Sequence, residues 1–200
     1  MARAASWHLI PAGIAAAVAL GTAAPAASAA PPRLPNMLVN GSFEHPQVPS
    51  GSSHPFAAIL GWHLAFGPDI ELQNHVAGAA AVGNQLAELD SDAASGIFQR
   101  VRTEPGRQYR LQFFAAARPG TSPAENVLVV RWHRHVLARI VLDGRGLTHT
   151  EWHAYAFKVR ATGRRTRLEF SDAGVSDSVG TYLDGVKVTF WRGHPTALPR

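Results

Sequence analysis

Only 14 of the 200 residues are Asp or Glu, and several stand at spacings that chemistry could use. Glu88, Asp90 and Asp92 occupy alternate positions, so on an extended segment they share one face. Such a row suits a second cation site or acceptors for sugar hydroxyls; the plainer alternative is a solvated loop, which Asp and Ser favour. Asp184 lies within Thr181-Tyr182-Leu183-Asp184-Gly185-Val186-Lys187-Val188-Thr189-Phe190. Strand alternation there puts Tyr182, Asp184, Val186, Val188 and Phe190 on one face. An ionised carboxylate heading an apolar row is costly unless it is paired or holds a metal. Its partner is expected near the other end of the chain, in Asn40-Gly41-Ser42-Phe43-Glu44. An arginine, or capping of local backbone groups, would also satisfy it. Glu71 and Asp177 add acids near strand ends, and a glycoside hydrolase would need two such carboxylates at a set separation.

Arg118 sits at the Arg118-Pro119-Gly120 break, where its guanidinium could fork onto a uronic acid or onto Asp90. Trp62, Trp132, Trp152 and Tyr182 are the rings that could stack on a sugar. Trp62, next to His63 and close to loops, is the one expected at the surface; core packing is the alternative for each. His133 and His135 share a face at a hairpin tip, and no third ligand is spaced with them for zinc. No Gly-x-Ser-x-Gly elbow and no phosphate-cradling glycine loop is present.

These residues need elements to position them, and the elements read as strands. Hydrophobic content of 46% supports a core, while charged content is 16%. Segments 61–64, 69–72, 85–89, 97–101, 109–113, 127–132, 136–142, 155–159, 166–170 and 181–190 alternate or run apolar, separated by Gly, Pro, Asn and Asp signals. Met37-Leu38-Val39 is a further short candidate, and 45–55 reads as a proline- and serine-rich loop. Roughly nine or ten short strands with regular turns and no helical period predict an all-β sandwich or jelly roll. Cysteine is absent, which excludes a disulfide framework and thiolate metal sites. The formal charge is +5 with a pI of about 10.4, yet the basic residues form no long run, so the sequence carries no nucleic-acid signature. An anionic polysaccharide fits the same charge.

Residues 1–29 read as a signal peptide, with Arg3, an apolar run from Ile10 to Leu20, and Ala27-Ser28-Ala29 as the cleavage pattern. A proline-rich lead-in covers 30–35, the domain 36–191 and a polar tail 192–200. The mature chain is expected to be secreted, extracellular or cell-wall associated, with no membrane span.

In order, Asn40-Gly41-Ser42-Phe43-Glu44, Gly61-Trp62, Ile70-Glu71-Leu72, Gly83-Asn84-Gln85, Glu88-Leu89-Asp90-Ser91, Arg118-Pro119-Gly120, Trp152, Asp177-Ser178 and Leu183-Asp184-Gly185-Val186 form a series. It resembles the domain-of-unknown-function 642 family of plant cell-wall proteins and the related bacterial choice-of-anchor C exported proteins. Both are similar to the galactose-binding-like β-sandwich group, which includes many carbohydrate-binding modules. The resemblance covers Asn36 to Phe190 and implies a galactose-binding-like jelly roll. It also implies a structural calcium ion held by Glu44 and Asp184 with backbone carbonyls. The function expected is a non-catalytic module binding cell-wall or extracellular polysaccharide, with Trp62, Glu71, Asn84, Glu88, Asp90, Arg118 and Asp177 as ligand-binding residues. The alternatives are a structural or adhesion protein with a protein partner and, third, a glycoside hydrolase.

Overall fold

The computed structural model describes residues 34–191. The expected signal peptide, most of the lead-in and the tail lie outside them. Twelve strands form two six-stranded antiparallel sheets. The first sheet contains β1 (Ser52–Phe56), β4 (Ile70–Asn74), β5 (Leu86–Glu88), β12 (Tyr182–Phe190), β7 (Gln108–Ala116) and β10 (His153–Arg160), in that spatial order. The second contains β2 (Ala58–Ile59), β3 (Trp62–Phe66), β6 (Gly96–Arg102), β11 (Arg165–Asp172), β8 (Val127–Trp132) and β9 (His135–Val141). Among the described residues no helix is long and apolar enough to cross a membrane.

Period-two patterning explains most of the sandwich. Tyr109, Leu111 and Phe113 of β7 meet Leu168 and Phe170 of β11 in one core, with the Phe113 and Phe170 rings edge-to-face at 5.0 Å. Tyr155 and Phe157 of β10 pack on that core from the edge. The expected 127–132/136–142 hairpin is present as β8 and β9. Two segments depart from the sequence reading. Residues 37–39 form no strand, although Met37 N–H donates to Val188 O at 2.9 Å. Residues 52–56, which overlap the stretch 45–55 read as a loop, form β1. Prolines and serines hid this strand, and Pro55 is tolerated because β1 lies at the sheet edge.

β12 corrects a third expectation. Its register with β7 shifts between Asp184 and Lys187, and Gly185 has φ of 59°, a left-handed conformation that suits glycine. The bulge inverts the alternation. Leu183, Val186 and Val188 face the main core, whereas Tyr182 belongs to a small separate cluster with Leu86 and Ala116. Asp184 shares Tyr182's outward parity, so it does not head the core-facing row.

The chain's beginning is stitched into this bulge. Asn36 donates through Nδ2 to Val186 O (2.9 Å) and accepts from Val188 N–H through Oδ1 (2.9 Å). Val186 N–H donates to Gly41 O at 2.7 Å. A methyl at Gly41 would collide with the Val186 carbonyl, a main-chain atom with little freedom to move. Gly41→Ala is therefore expected to cost about 2 kcal/mol. The corresponding fall in thermal midpoint is about 4–8 °C, measured by tryptophan fluorescence.

Candidate functional site

The loop between β4 and β5 lies against the outward side of the first sheet. Trp152 donates through Nε1 to Ala79 O (2.9 Å), and Thr150 Oγ1 accepts from Ala79 N–H (3.0 Å). Beneath this loop Tyr182, Leu86 and Ala116 are buried, with Trp152 packed at the margin.

Two carboxylates hold the far end of the same loop. Glu44 Oε1 accepts from Asn84 N–H (2.9 Å) and Gln85 N–H (3.0 Å). Asp184 Oδ2 accepts from Val82 N–H (2.7 Å) and Oδ1 from Gly185 N–H (2.5 Å). Of the ways to satisfy Asp184, the structure shows backbone capping. The carboxyl is fully buried, and burial raises its pKa to about 7, with the nearby Glu44 charge pushing the same way. No arginine or lysine pairs with it among the described residues.

Beside them on the outward face lies a polar network. Glu88, at the end of β5, has a side chain with no solvent exposure, and Arg118 approaches it from the end of β7. Arg118 Nη1 donates to both Glu88 oxygens at 2.9 Å, and Gly180 N–H donates to Oε1 at 2.9 Å. Gln73 Nε2 donates to Glu88 Oε2 and, at 3.0 Å, to Glu71 Oε1. The Tyr182 hydroxyl completes the chain by donating to Gln73 Oε1 at 3.1 Å. Burial pushes the Glu88 pKa up to about 7 against the pull of Arg118 and Gly180. Burial opposes the Arg118 charge, but Glu88 outweighs it and the guanidinium pKa lies above its ordinary value. Burial likewise raises the Tyr182 hydroxyl, with Glu88 adding to the shift. Glu71 is half-buried, and 23% of the Arg118 side chain reaches solvent. These two groups form the accessible rim of a pre-organised base.

The structure thus brings Glu71, Glu88 and Arg118 together and adds Gln73 and Tyr182. Gln73 went unrecognised because its face depends on the β4–β5 register, although its two-residue spacing from Glu71 was the available signal. The intramolecular partner of Arg118 is Glu88 rather than Asp90. Nor are Glu88 and Asp90 part of a solvated row: both are buried, while Asp92 is exposed. Asp90 Oδ2 accepts from Asp177 N–H at 3.1 Å, and the Asp177 side chain itself is exposed. Asn84 is exposed and uses its N–H on Glu44.

Trp62 is the clearest correction. It is fully buried, donates to Asn40 O at 3.0 Å and packs on Phe43 at 5.4 Å, so it offers no face to a sugar. Trp132 is buried as well, with Nε1 donating to Arg160 O at 3.0 Å. His133 forms the tip of the β8–β9 hairpin. Among the described residues no three His, Cys, Asp or Glu side chains gather as a metal-holding group.

A second acidic group lies at the end of the sandwich where β11 runs out. Asp172 continues the inward row of Leu168 and Phe170. Its Oδ2 accepts from Gly174 N–H at 2.9 Å. Its Oδ1, Asp90 Oδ1 and Thr181 Oγ1 are buried without a hydrogen-bond partner. Burial, with Asp90 and Asp177 adding like charge, lifts the Asp172 pKa to about 7.

Asp172 and Asp184 set a pH dependence. With both folded-state values near 7 and the unfolded chain near 4, the folded state holds their protons more tightly. Their contribution is fully present below about pH 4 and is lost as pH rises through about 7. In the presence of a chelator, the melting temperature is expected to fall between pH 5 and pH 8, by about 2–4 °C for each 1 kcal/mol lost. Asp172→Asn should flatten part of that slope; an unchanged slope in this variant would show that Asp172 does not titrate there.

The TmCBM61 structure in complex with β-1,4-galactotriose is similar at a TM-score of 0.52 and 15% identity, covering 78% of this chain and 99% of that one. A family 16 carbohydrate-binding module aligns with a TM-score of 0.50 and 18% identity over 77% of this chain and 99% of that one. The arabinose-bound MgGH51 α-L-arabinofuranosidase matches at 0.50 and 15% identity, over 77% of this chain but only 26% of that enzyme. No curated protein sequence matches the chain. At these identities the likeness establishes the fold, an all-β galactose-binding-like jelly roll of the kind found in carbohydrate-binding modules. The family model described as "Protein of unknown function (DUF642)" matches residues 36–189, nearly the whole sandwich, and the chain belongs to that family.

Proposed function

We propose that this chain is an exported, non-catalytic module that binds cell-wall or extracellular polysaccharide on the outward face of its first sheet. The observation that carries this reading is the Glu71–Gln73–Glu88–Arg118 network. It presents a guanidinium edge and a carboxylate to solvent from a base whose hydrogen bonds are already made. Sugar recognition needs a few convergent polar groups held in fixed positions beside apolar surface. Trp152, half-buried at the margin of the same face, supplies that surface. The likeness to modules of known glycan-binding type supports the reading through the fold.

Glu88 acts as an orienting group in this scheme. Sealed from solvent and forked by Arg118, it is placed to hold the guanidinium rather than to exchange protons with a substrate. Removing Arg118 would leave a buried charge without its partner, so Arg118→Ala is expected to cost about 3–5 kcal/mol. Glu71→Gln, on the rim, should leave the melting temperature within about 1 °C and lower retention on the bound polysaccharide about tenfold. The measurement is depletion from solution by a panel of insoluble and acidic polysaccharides. Retention on no glycan would overturn the reading in favour of a protein partner, and sugar release from the panel would make the chain an enzyme.

The same reading includes a structural calcium ion at Glu44 and Asp184. A fully buried carboxyl with no cationic side chain paired to it among the described residues, and a second carboxylate close enough to raise its pKa, support a cation there. The carboxylate oxygens already accept N–H bonds, so carbonyl oxygens of Gly41 and Ser42, which line a hollow beside Glu44, would help complete the six to eight oxygens calcium takes. The ion would fasten the β4–β5 loop to β12. A chelator is then expected to lower the melting temperature, and Asp184→Ala to abolish the response. A melting curve indifferent to chelator would leave backbone capping as the whole role of Asp184.

A further inference from the structure

The opposite face of the molecule carries a feature that the polysaccharide site does not use. β6 and β11 are neighbours in the second sheet, and their register sets Arg100 directly across from Arg167 and Arg102 directly across from Arg165. All four alternate with the inward residues Val101, Thr166 and Leu168, so they share the outward face. Arg131 of β8 and Arg139 of β9 extend that face, and Arg134 stands at the hairpin tip beside His133. Like charges directly opposite on a sheet are destabilising, and here two such pairs are adjacent.

Neutralisation within the protein is slight. Glu169 is the one acidic residue at outward positions of these strands among the described residues, and it is shared between Arg167 (2.8 Å) and Arg131 (3.4 Å). No carboxylate pairs with Arg100, Arg102, Arg134, Arg139 or Arg165 among the described residues. Arg100, His133, Arg134, Arg165 and Arg167 line a depression of about 410 Å³. The floor beside it is Phe98, whose ring lies 3.8 Å from the Arg167 guanidinium carbon and 5.2 Å from that of Arg100. Cation–π contact of this kind holds a guanidinium in place while leaving donors free for an oxyanion.

We propose that this arginine face is a second binding surface, and that its occupant is a uronate-bearing polysaccharide. Guanidinium forks match carboxylates bidentately. A polymer with carboxylates repeated along it would meet several of these arginines at once and relieve the cross-strand repulsion. The face offers little to stack a nucleic-acid base: Phe98 is 8% exposed and lies beneath two guanidinium groups, and the exposed ring beside it is the small imidazole of His63, whereas single-stranded nucleic acid is held largely by aromatic platforms. The inference goes beyond the polysaccharide site on the first sheet and does not rest on it.

The test uses the mature chain against polygalacturonate, its methyl-esterified counterpart, a neutral β-1,4-galactan and single-stranded DNA. Binding to polygalacturonate is expected to weaken as salt rises from about 50 to about 200 mM, because screening shortens the reach of exposed charges. The esterified polymer, which lacks the carboxylates, should be retained far less. Arg100→Ser combined with Arg165→Ser should weaken polygalacturonate binding about tenfold or more. Its melting temperature should be unchanged or higher, since repulsion is relieved. Retention on any neutral glycan bound through the first sheet should stay as in the unmodified chain, which separates this surface from the other. Arg100→Lys with Arg165→Lys, which keeps charge but loses the fork, should fall between the two. Equal retention of the esterified and unesterified polymers, undiminished binding by the serine variant, or tighter binding to the DNA would each overturn the proposal.

Discussion

A carboxylate out of reach of water must be satisfied where it lies, and Asp184 is satisfied by main-chain N–H groups from two places. One is Gly185, in the bulge of β12; the other is Val82, in the loop from β4 to β5. This arrangement ties a long connection to the middle of the first sheet. Glu44 does the same from the start of the domain, accepting from Asn84 and Gln85. The loop held between them lies over Tyr182, Leu86 and Ala116, and it places Trp152 next to the polar network. Without the two carboxylates, this cover would lose its fastening at Val82, Asn84 and Gln85.

The bulge at Gly185 gives this arrangement its geometry. Ahead of it, Leu183 enters the core while Tyr182 and Asp184 stay outside; beyond it, Val186 and Val188 enter the core. A strand with unbroken alternation would have to expose Leu183 or bury Asp184 among aliphatic side chains. One left-handed glycine avoids both. Val186, just past the bulge, is also where Gly41 and Asn36 attach the beginning of the domain to its end. The same few residues therefore close the sandwich and orient its outward face.

The two sheets present chemically different exteriors. The first carries a buried polar network with Glu88 and Arg118 at its centre, flanked by exposed single charges such as Arg110, Lys158 and Lys187. The second leaves most of its arginines exposed and unmatched, with Glu169 alone as counter-charge on that face among the described residues. Basic residues that form no run along the chain become a face because strands from distant parts of the sequence bring them into adjacent rows.

Several conclusions were legible in the residues themselves. Alternation and turn signals identified the sandwich, the hairpin of β8 and β9, and the inward rows of β10 and β11, because side-chain direction along a strand is a local property. The cost of burying a charge marked Asp184 as needing partners, and backbone capping was among the options. The ordered motifs pointed to the family whose model spans residues 36–189. What depends on contacts between distant segments was decided by the tertiary structure. The bulge inverted the faces of β12, and Trp62, expected at the surface, became core. Glu88 found Arg118 thirty positions away, and the arginine face arose from strand register. Register and pairing follow from packing two sheets around one core, and no local pattern encodes which distant residue will lie opposite.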